Sequence, residues 1–152
     1  MITITPVKES ELKLIWKIQI KAFENDFKEN SDFSPGGETF EKFLGKKSKF
    51  IIKKICLNEK IIGALCIREY LKKDNWKISR IFILPEYQRK GYGKKTLTLL
   101  EEEYSFVKKW TLETSEKNIQ SQNFYKKNGY IEKDVLEITK TLKTILYEKV
   151  ML

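Results

Sequence analysis

The chain has 152 residues, 41 % hydrophobic and 34 % charged, with 30 basic and 21 acidic side chains for a formal charge of +9. That is the size and balance of one soluble globular domain that buries a core without covalent staples. There is no histidine, and Cys56 and Cys66 are the only cysteines, which argues against a metal site of the usual His/Cys type and against any Ser-His or Cys-His nucleophile pair.

The longest apolar run, Ile61 to Ile67, falls far short of a membrane span. Met1 to Pro6 shows no basic segment leading into an apolar stretch. No membrane partner is expected, and the cytoplasm is the expected compartment. Lysines are spread over the whole chain, often beside glutamates, rather than gathered in an aromatic-interleaved stripe. The charge reads first as a solvated surface that also draws in an anionic ligand, with nucleic acid as the less favoured partner.

Ile2 and Ile4 alternate with threonines and predict a first strand ending near Pro6 or Val7. Ser10 reads as an N-cap for a helix over 10–28, with Leu12, Ile15, Trp16, Gln19, Ile20 and Phe23 at helical spacing. Residues 30–37 read as a loop, and a short helix over 38–44 follows with Gly45 as its stop. Strands over 49–57 and 61–71 flank a turn at Asn58-Glu59-Lys60. In that hairpin Cys56 falls near Ile62 and Cys66 near Ile52, so no disulfide is expected, in keeping with a reducing compartment.

Lys72 to Asn75 turns the chain into a fourth strand, Trp76 to Leu84, and a helix over 91–104 leads to a fifth strand over 110–114. The helix makes the crossover, so the fourth and fifth strands are parallel. A helix over 119–127 stops at Asn128-Gly129, and strands over 130–136 and 142–150 close the sheet. The expected class is α/β (α+β). It is a single domain over 1–152 in which a mixed sheet of six or seven strands, an antiparallel meander plus the parallel pair, carries about four helices.

The chemistry concentrates in residues 78–95. A short β-branched and aromatic run, Ile78 to Leu84, reads as a buried strand ended by Pro85. Glu86-Tyr87-Gln88-Arg89-Lys90-Gly91-Tyr92-Gly93-Lys94 then feeds a helix marked by Leu97, Leu99 and Leu100. The first N–H groups of a helix lack intrahelical partners and sit at the positive end of its dipole, so a phosphate suits them. Gly91 and Gly93 let a diphosphate approach the backbone, and Arg89, Lys90, Lys94 and Lys95 surround it with charge. Neither the P-loop pattern nor G-x-G-x-x-G is present, Thr96 standing where the third glycine of the latter would be.

The run Ile83-Leu84-Pro85-Glu86-Tyr87-Gln88-Arg89-Lys90-Gly91-Tyr92-Gly93-Lys94 resembles the acetyl-CoA pyrophosphate loop of the GCN5-related N-acetyltransferase (GNAT) superfamily. Asn118, Ser121, Phe124, Tyr125, Asn128, Gly129 and Tyr130 resemble that family's second conserved segment, in the right order and at the usual separation. The resemblance covers roughly 75–135 and implies a splayed fourth and fifth strand with the pantetheine arm of acetyl-CoA in the gap. Ile81, Phe82 and Ile83 would then give main-chain contacts to that arm, and Gln88, Arg89, Lys90, Gly91, Tyr92, Gly93 and Lys94 would hold the pyrophosphate. Asn118 would touch the pantetheine, cap its helix, or both. Tyr125 would stand at the cofactor sulfur.

Acetyl transfer from a thioester to an amine needs a deprotonated nucleophile, a home for the developing oxyanion and a proton for the leaving thiolate. Tyr125 is the candidate acid, since a phenol with a reference pKa of roughly 10 can protonate a thiolate whose acid lies near ~8.5. A main-chain N–H near Ile83 is the candidate oxyanion donor. Glu69 and Glu113, late in their strands, are the two candidates for the base, with a water relay as the substitute. Phe23, Phe27 and Phe33 would form an apolar acceptor pocket rimmed by Asp26 and Asp32, which suits a cationic amine. The expected partners are acetyl-CoA and an amine acceptor, with no metal, and a homodimer is compatible with the reading. A catalytically silent CoA-binding sensor or scaffold of the same fold stands as the alternative, with a basic nucleic-acid-binding domain behind it.

Overall fold

The alternation of Ile2 and Ile4 with threonines forms β1 (Ile2–Pro6), both isoleucines facing inward. The chain is described by a computed structural model that covers residues 1–29 and 34–152. Seven strands, β1, β2 (Ile51–Leu57), β3 (Lys60–Tyr70), β4 (Lys72–Ile83), β5 (Lys109–Ser115), β6 (Ile131–Glu137) and β7 (Lys143–Val150), form a sheet of order β1-β2-β3-β4-β5-β7-β6. β1 with β2 and β2 with β3 are antiparallel, β4 with β5 parallel, and β7 antiparallel to both β5 and β6. Five α-helices are described: α1 (Leu12–Ala22), α2 (Glu24–Glu29), α3 (Phe40–Gly45), α4 (Tyr92–Glu103) and α5 (Ile119–Lys127). The mixed seven-stranded sheet and its parallel pair are those expected, and α4 makes the crossover between the parallel strands. Among the described residues no helix is long and apolar enough to cross a membrane.

The described chain falls into two compact units. The first comprises Met1–Arg68 and Arg80–Tyr104. One of its cores joins Leu12, Ile15 and Ile18 of α1 to Phe43, Ala64 and Phe82, with Trp16, Phe23 and Phe40 packed around them. The second comprises Glu69–Ser79 and Ser105–Leu152, with Trp110, Leu112 and Tyr147 almost wholly buried.

Local details depart from the expected boundaries for identifiable reasons. Ser10 is not a cap: it lies in a 3-10 turn, Glu9–Glu11, where the Glu11 carboxylate accepts the Lys8 N–H at 2.8 Å, and α1 starts at Leu12. The helix expected over 10–28 breaks at Phe23, whose φ of −100° and ψ of 15° are non-helical and whose ring packs edge-on against Phe82 at 5.9 Å. The next helix begins at Phe40 rather than Glu38, because Thr39 caps it by accepting the Lys42 N–H at 3.2 Å. Gly45 is no stop; it keeps helical angles and leads into a further turn, Lys46–Ser48.

Lys72 to Asn75 belong to β4, and the reversal is carried by Leu71 in the left-handed region at φ 71°. A register shift between Ile55 and Cys56 sets Cys56 opposite Ile61, one residue from the expected neighbour, while Cys66 faces Ile52 as expected. Both cysteines are free and buried.

Candidate active site

In the first unit β4 ends at Ile83, and a 3-10 turn, Pro85–Tyr87, redirects the chain. Gln88 is extended, and its side-chain amide donates to the Ile83 carbonyl at 2.8 Å. Arg89 at φ 61° and Gly91 at φ 84° are both left-handed, a curl that turns successive N–H groups toward one side. The Lys95 N–H donates to the Gly91 carbonyl at 3.1 Å, so the N–H groups of Tyr92, Gly93 and Lys94 lie ahead of the first bond of that helical turn. Gly91, the N-cap, has no side chain to satisfy them. Arg89, Lys90, Lys94 and Lys95 are exposed around this end. Thr96 is wholly buried and donates its hydroxyl to the Tyr92 carbonyl at 2.8 Å, so the position where a third glycine would stand serves helix packing instead.

Just upstream, Phe82 and Ile83 are buried and Ile81 is half-buried. Their main chain lies hard against β3. A Cβ on Gly63 would come 2.1 Å from the Phe82 carbonyl oxygen, and the Leu84 N–H donates to the Ile62 carbonyl at 2.8 Å. The fold thus gathers Ile81–Ile83 and Gln88–Lys95 in one unit.

Two of the residues expected to receive the acceptor, Phe23 and Phe27, lie in the first unit. Phe23 packs on Phe82 in the core, while Phe27, 39 % exposed, covers Gly36 and Gly37. Phe33 and Asp32 lie outside the described residues.

Beside Phe23 sits a polar network that the sequence reading missed. Arg80 on β4 donates to Glu38 at 2.8 Å and to Gln19 at 3.2 Å. The Gln19 amide donates to Glu38 and to the Pro35 carbonyl, both at 3.1 Å, and the Trp16 indole donates to the Glu38 carbonyl at 2.8 Å. Lys46 pairs with the same carboxylate at 2.6 Å. Burial pushes the Glu38 carboxyl up, but the bonds from Arg80, Lys46 and Gln19 outweigh it and bring its pKa down to about 2. The signal was a glutamine on the apolar stripe of α1 and an arginine inside an apolar strand; both positions demand buried partners.

In the second unit, Asn118 caps α5 by accepting the Ser121 N–H at 3.0 Å. Gln122, buried, ties the same end to the carbonyls of Ser115 at 3.1 Å and Glu116 at 2.8 Å. These bonds fix the start of α5 against the end of β5. Tyr125, half-buried on α5, packs against Phe124 at 5.3 Å, Tyr130 at 5.7 Å and Tyr147 at 6.4 Å. Burial raises its phenol well above the usual tyrosine range, so it holds its proton. The Tyr147 hydroxyl is buried and has no hydrogen-bond partner among the described residues, an arrangement that costs about 1–3 kcal/mol.

Glu113 is fully engaged. One oxygen takes Lys77 at 2.7 Å and the other takes the Thr144 hydroxyl at 2.9 Å. Burial raises its pKa, and these two bonds more than reverse the effect, leaving it below the usual carboxylate value. Glu69 is exposed at the far end of β3. The parallel ladder of β4 and β5 runs only from Asn75↔Lys109 to Lys77↔Thr111, so Lys77 belongs to its last pair and reaches Glu113, two residues further along β5. Among the described residues no group of three or more His, Cys, Asp or Glu side chains is arranged to hold a metal.

A cap-free helix start thus follows the fourth strand of this mixed sheet. The profile of the Acetyltransferase (GNAT) family matches residues 12–130, and the chain belongs to that family. No curated protein matches it by sequence. Among solved structures it is similar to an acetyltransferase from Thermus thermophilus, with 13 % identity, 99 % of this chain and 97 % of that one covered, and a TM-score of 0.81. It is also similar to the PaiA N-acetyltransferase of Thermoplasma acidophilum, solved in complex with coenzyme A, with 16 % identity over 99 % of each chain and a TM-score of 0.73. A third is a GNAT family acetyltransferase from Elizabethkingia anophelis with acetyl-CoA bound, with 17 % identity, 99 % of this chain and 98 % of that one covered, and a TM-score of 0.74. At these identities the likeness is one of fold.

Proposed function

We propose that the chain is an acetyl-CoA-dependent N-acetyltransferase that acts on a primary amine of a small molecule or peptide. The observation that carries this is the start of α4: a glycine N-cap without a capping side chain, two left-handed residues, and exposed Arg89, Lys90 and Lys94 around unpaired N–H groups. A diphosphate answers both the charge and the donors. We read residues 1–152 as one domain, a reading supported by the family match over 12–130 and by the near-complete cover of the similar structures. The free thiols of Cys56 and Cys66 fit a reducing, cytoplasmic compartment.

Acetyl-CoA supplies an activated acetyl thioester. In this reading the N–H groups at the start of α4 and the side chains of Arg89, Lys90 and Lys94 grip its pyrophosphate, and the main chain of Ile81–Ile83 aligns its arm. A main-chain N–H near Ile83 stabilises the oxyanion, and Tyr125 gives its proton to the leaving thiolate. Glu113 is occupied by Lys77 and Thr144, so the amine's proton leaves through water rather than to that carboxylate.

The test is thiol release from acetyl-CoA with a panel of primary amines: amino acids, polyamines, aminoglycosides and peptides with free N-termini. At least one class should accelerate release over the protein-free rate. Binding of acetyl-CoA with no accelerated release by any amine would favour a silent CoA-binding sensor instead.

A further inference from the structure

We propose that Lys60, together with Lys90 beside the Tyr87 ring, binds the 3′-phosphate of coenzyme A in a subsite next to the diphosphate loop. The inference rests on the reading of the α4 start as the diphosphate site. The Leu84 N–H donates to the Ile62 carbonyl at 2.8 Å, so the first residues of β3 run alongside the chain as it leaves β4 for that loop. Lys60, where β3 begins, therefore reaches the loop from a separate element. Its Nζ lies 5.3 Å from the centre of the Tyr87 ring, and Lys90 Nζ lies 6.0 Å from the same centre.

An aromatic ring attracts each ammonium, but two that gather at one ring repel each other unless an anion joins them. Neither forms an ion pair among the described residues, although Glu59 and Glu86 are exposed beside Lys60 and Tyr87 in sequence. The chemistry of coenzyme A says which anion fits. Each phosphorus of its diphosphate bears one ionised oxygen, whereas its 3′-phosphate is a monoester, and a monoester carries about −1.5 to −2 charge at neutral pH. The ribose that bears this group is bonded directly to the diphosphate, so a ligand held at the start of α4 brings its third phosphate to within one sugar of the loop. Lys90 is shared with the diphosphate, and Lys60 is the cation that the loop itself does not supply.

The experiment measures binding of coenzyme A and of 3′-dephospho-coenzyme A by calorimetry to the wild type, Lys60→Met, Lys60→Arg and Lys21→Met, with a melting curve for each free protein. Lys21, exposed on α1, controls for the loss of one positive charge. The wild type should bind coenzyme A about tenfold more tightly than the dephospho form. Lys60→Met should lose about fivefold in affinity for coenzyme A and nothing for the dephospho form, while Lys60→Arg and Lys21→Met keep the wild-type preference.

Equal wild-type affinity for the two ligands would overturn the subsite and leave the diphosphate site standing. So would an equal loss for both ligands in Lys60→Met, which would assign Lys60 to the loop itself, or the same loss of preference in Lys21→Met, which would make the effect one of net charge. Loss of the preference in Lys60→Arg with an unchanged melting curve would also contradict a charge-based contact. If the wild type binds neither ligand, the reading of the α4 start fails and this inference goes with it.

Discussion

Gln88 donates its side-chain amide to the Ile83 carbonyl at 2.8 Å, so one hydrogen bond fastens the loop ahead of α4 to the last residue of β4. Gln88→Ala removes that bond and leaves a half-buried carbonyl without its donor, a loss of about 1 kcal/mol. Melting should fall by roughly 2–4 °C. Acetyl-CoA affinity by calorimetry should fall about fivefold, because the N–H groups at the start of α4 are no longer held in place. Unchanged affinity would mean that the loop is ordered without Gln88.

Two glycines should respond differently to alanine. A Cβ on Gly63 would meet the Phe82 carbonyl at 2.1 Å, so Gly63→Ala must push β3 and β4 apart, costing about 3 kcal/mol. At Gly91 a Cβ meets nothing within 4 Å, and only the positive φ of 84° resists it, costing about 1–2 kcal/mol. Urea unfolding of both variants should show the larger loss at Gly63. Acetyl-CoA affinity should suffer at Gly91 in spite of its smaller stability loss.

The Glu38 carboxyl is ordinarily near 4.5 and is brought to about 2 in the folded chain. Its folded value lies below its unfolded one, so the stability it contributes is present above about pH 4.5 and is lost as pH falls toward 2. That shift corresponds to about 3 kcal/mol. Glu38→Gln should destabilise the protein at neutral pH, leaving Arg80 without its counter-charge, and should flatten the loss of stability between those two pH values. Unfolding free energies measured across the acid range check both statements.

Tyr125 has the opposite linkage. Burial raises its folded value above the unfolded one of ~10, so its contribution is full below that pH and is lost as pH rises past it. As an acid it should stay protonated through the usual tyrosine range. The kcat profile should therefore show no alkaline loss due to Tyr125 near pH 10. A fall there that disappears in Tyr125→Phe would contradict this.

For Glu113→Gln, the Thr144 bond can survive while the charge opposite Lys77 is lost. A modest drop in stability and less than a tenfold loss in kcat are expected. Loss of a general base would cost ~100-fold or more, and that result would return Glu113 to the role of base.

Most of the framework was legible because local and non-local signals agreed. Asn118 and Gly129 bracket a helix whose observed bounds match those expected, and Gly91 marks the start of α4. Phe23 shows where the pattern ran out. Its spacing fits a continuous helix, yet packing against Phe82 breaks the chain there. Gln19, Glu38 and Arg80 lie far apart in sequence, and only the fold reveals that three ordinary polar residues satisfy one another in a buried cluster. Glu113 looked like a base in a strand end, and its engagement by Lys77 and Thr144 depends on the pairing of β5 with two neighbours.

The most direct test of the central claim is a thermal melt with and without acetyl-CoA. A ligand that binds only the folded chain, present at ~100 times its dissociation constant, adds about 2.7 kcal/mol. For a chain of this length that should raise the melting temperature by roughly 5–10 °C, and by much less in Gly91→Ala. No shift in the wild type at millimolar acetyl-CoA would mean that the loop from Gln88 to Lys94 does not hold its pyrophosphate.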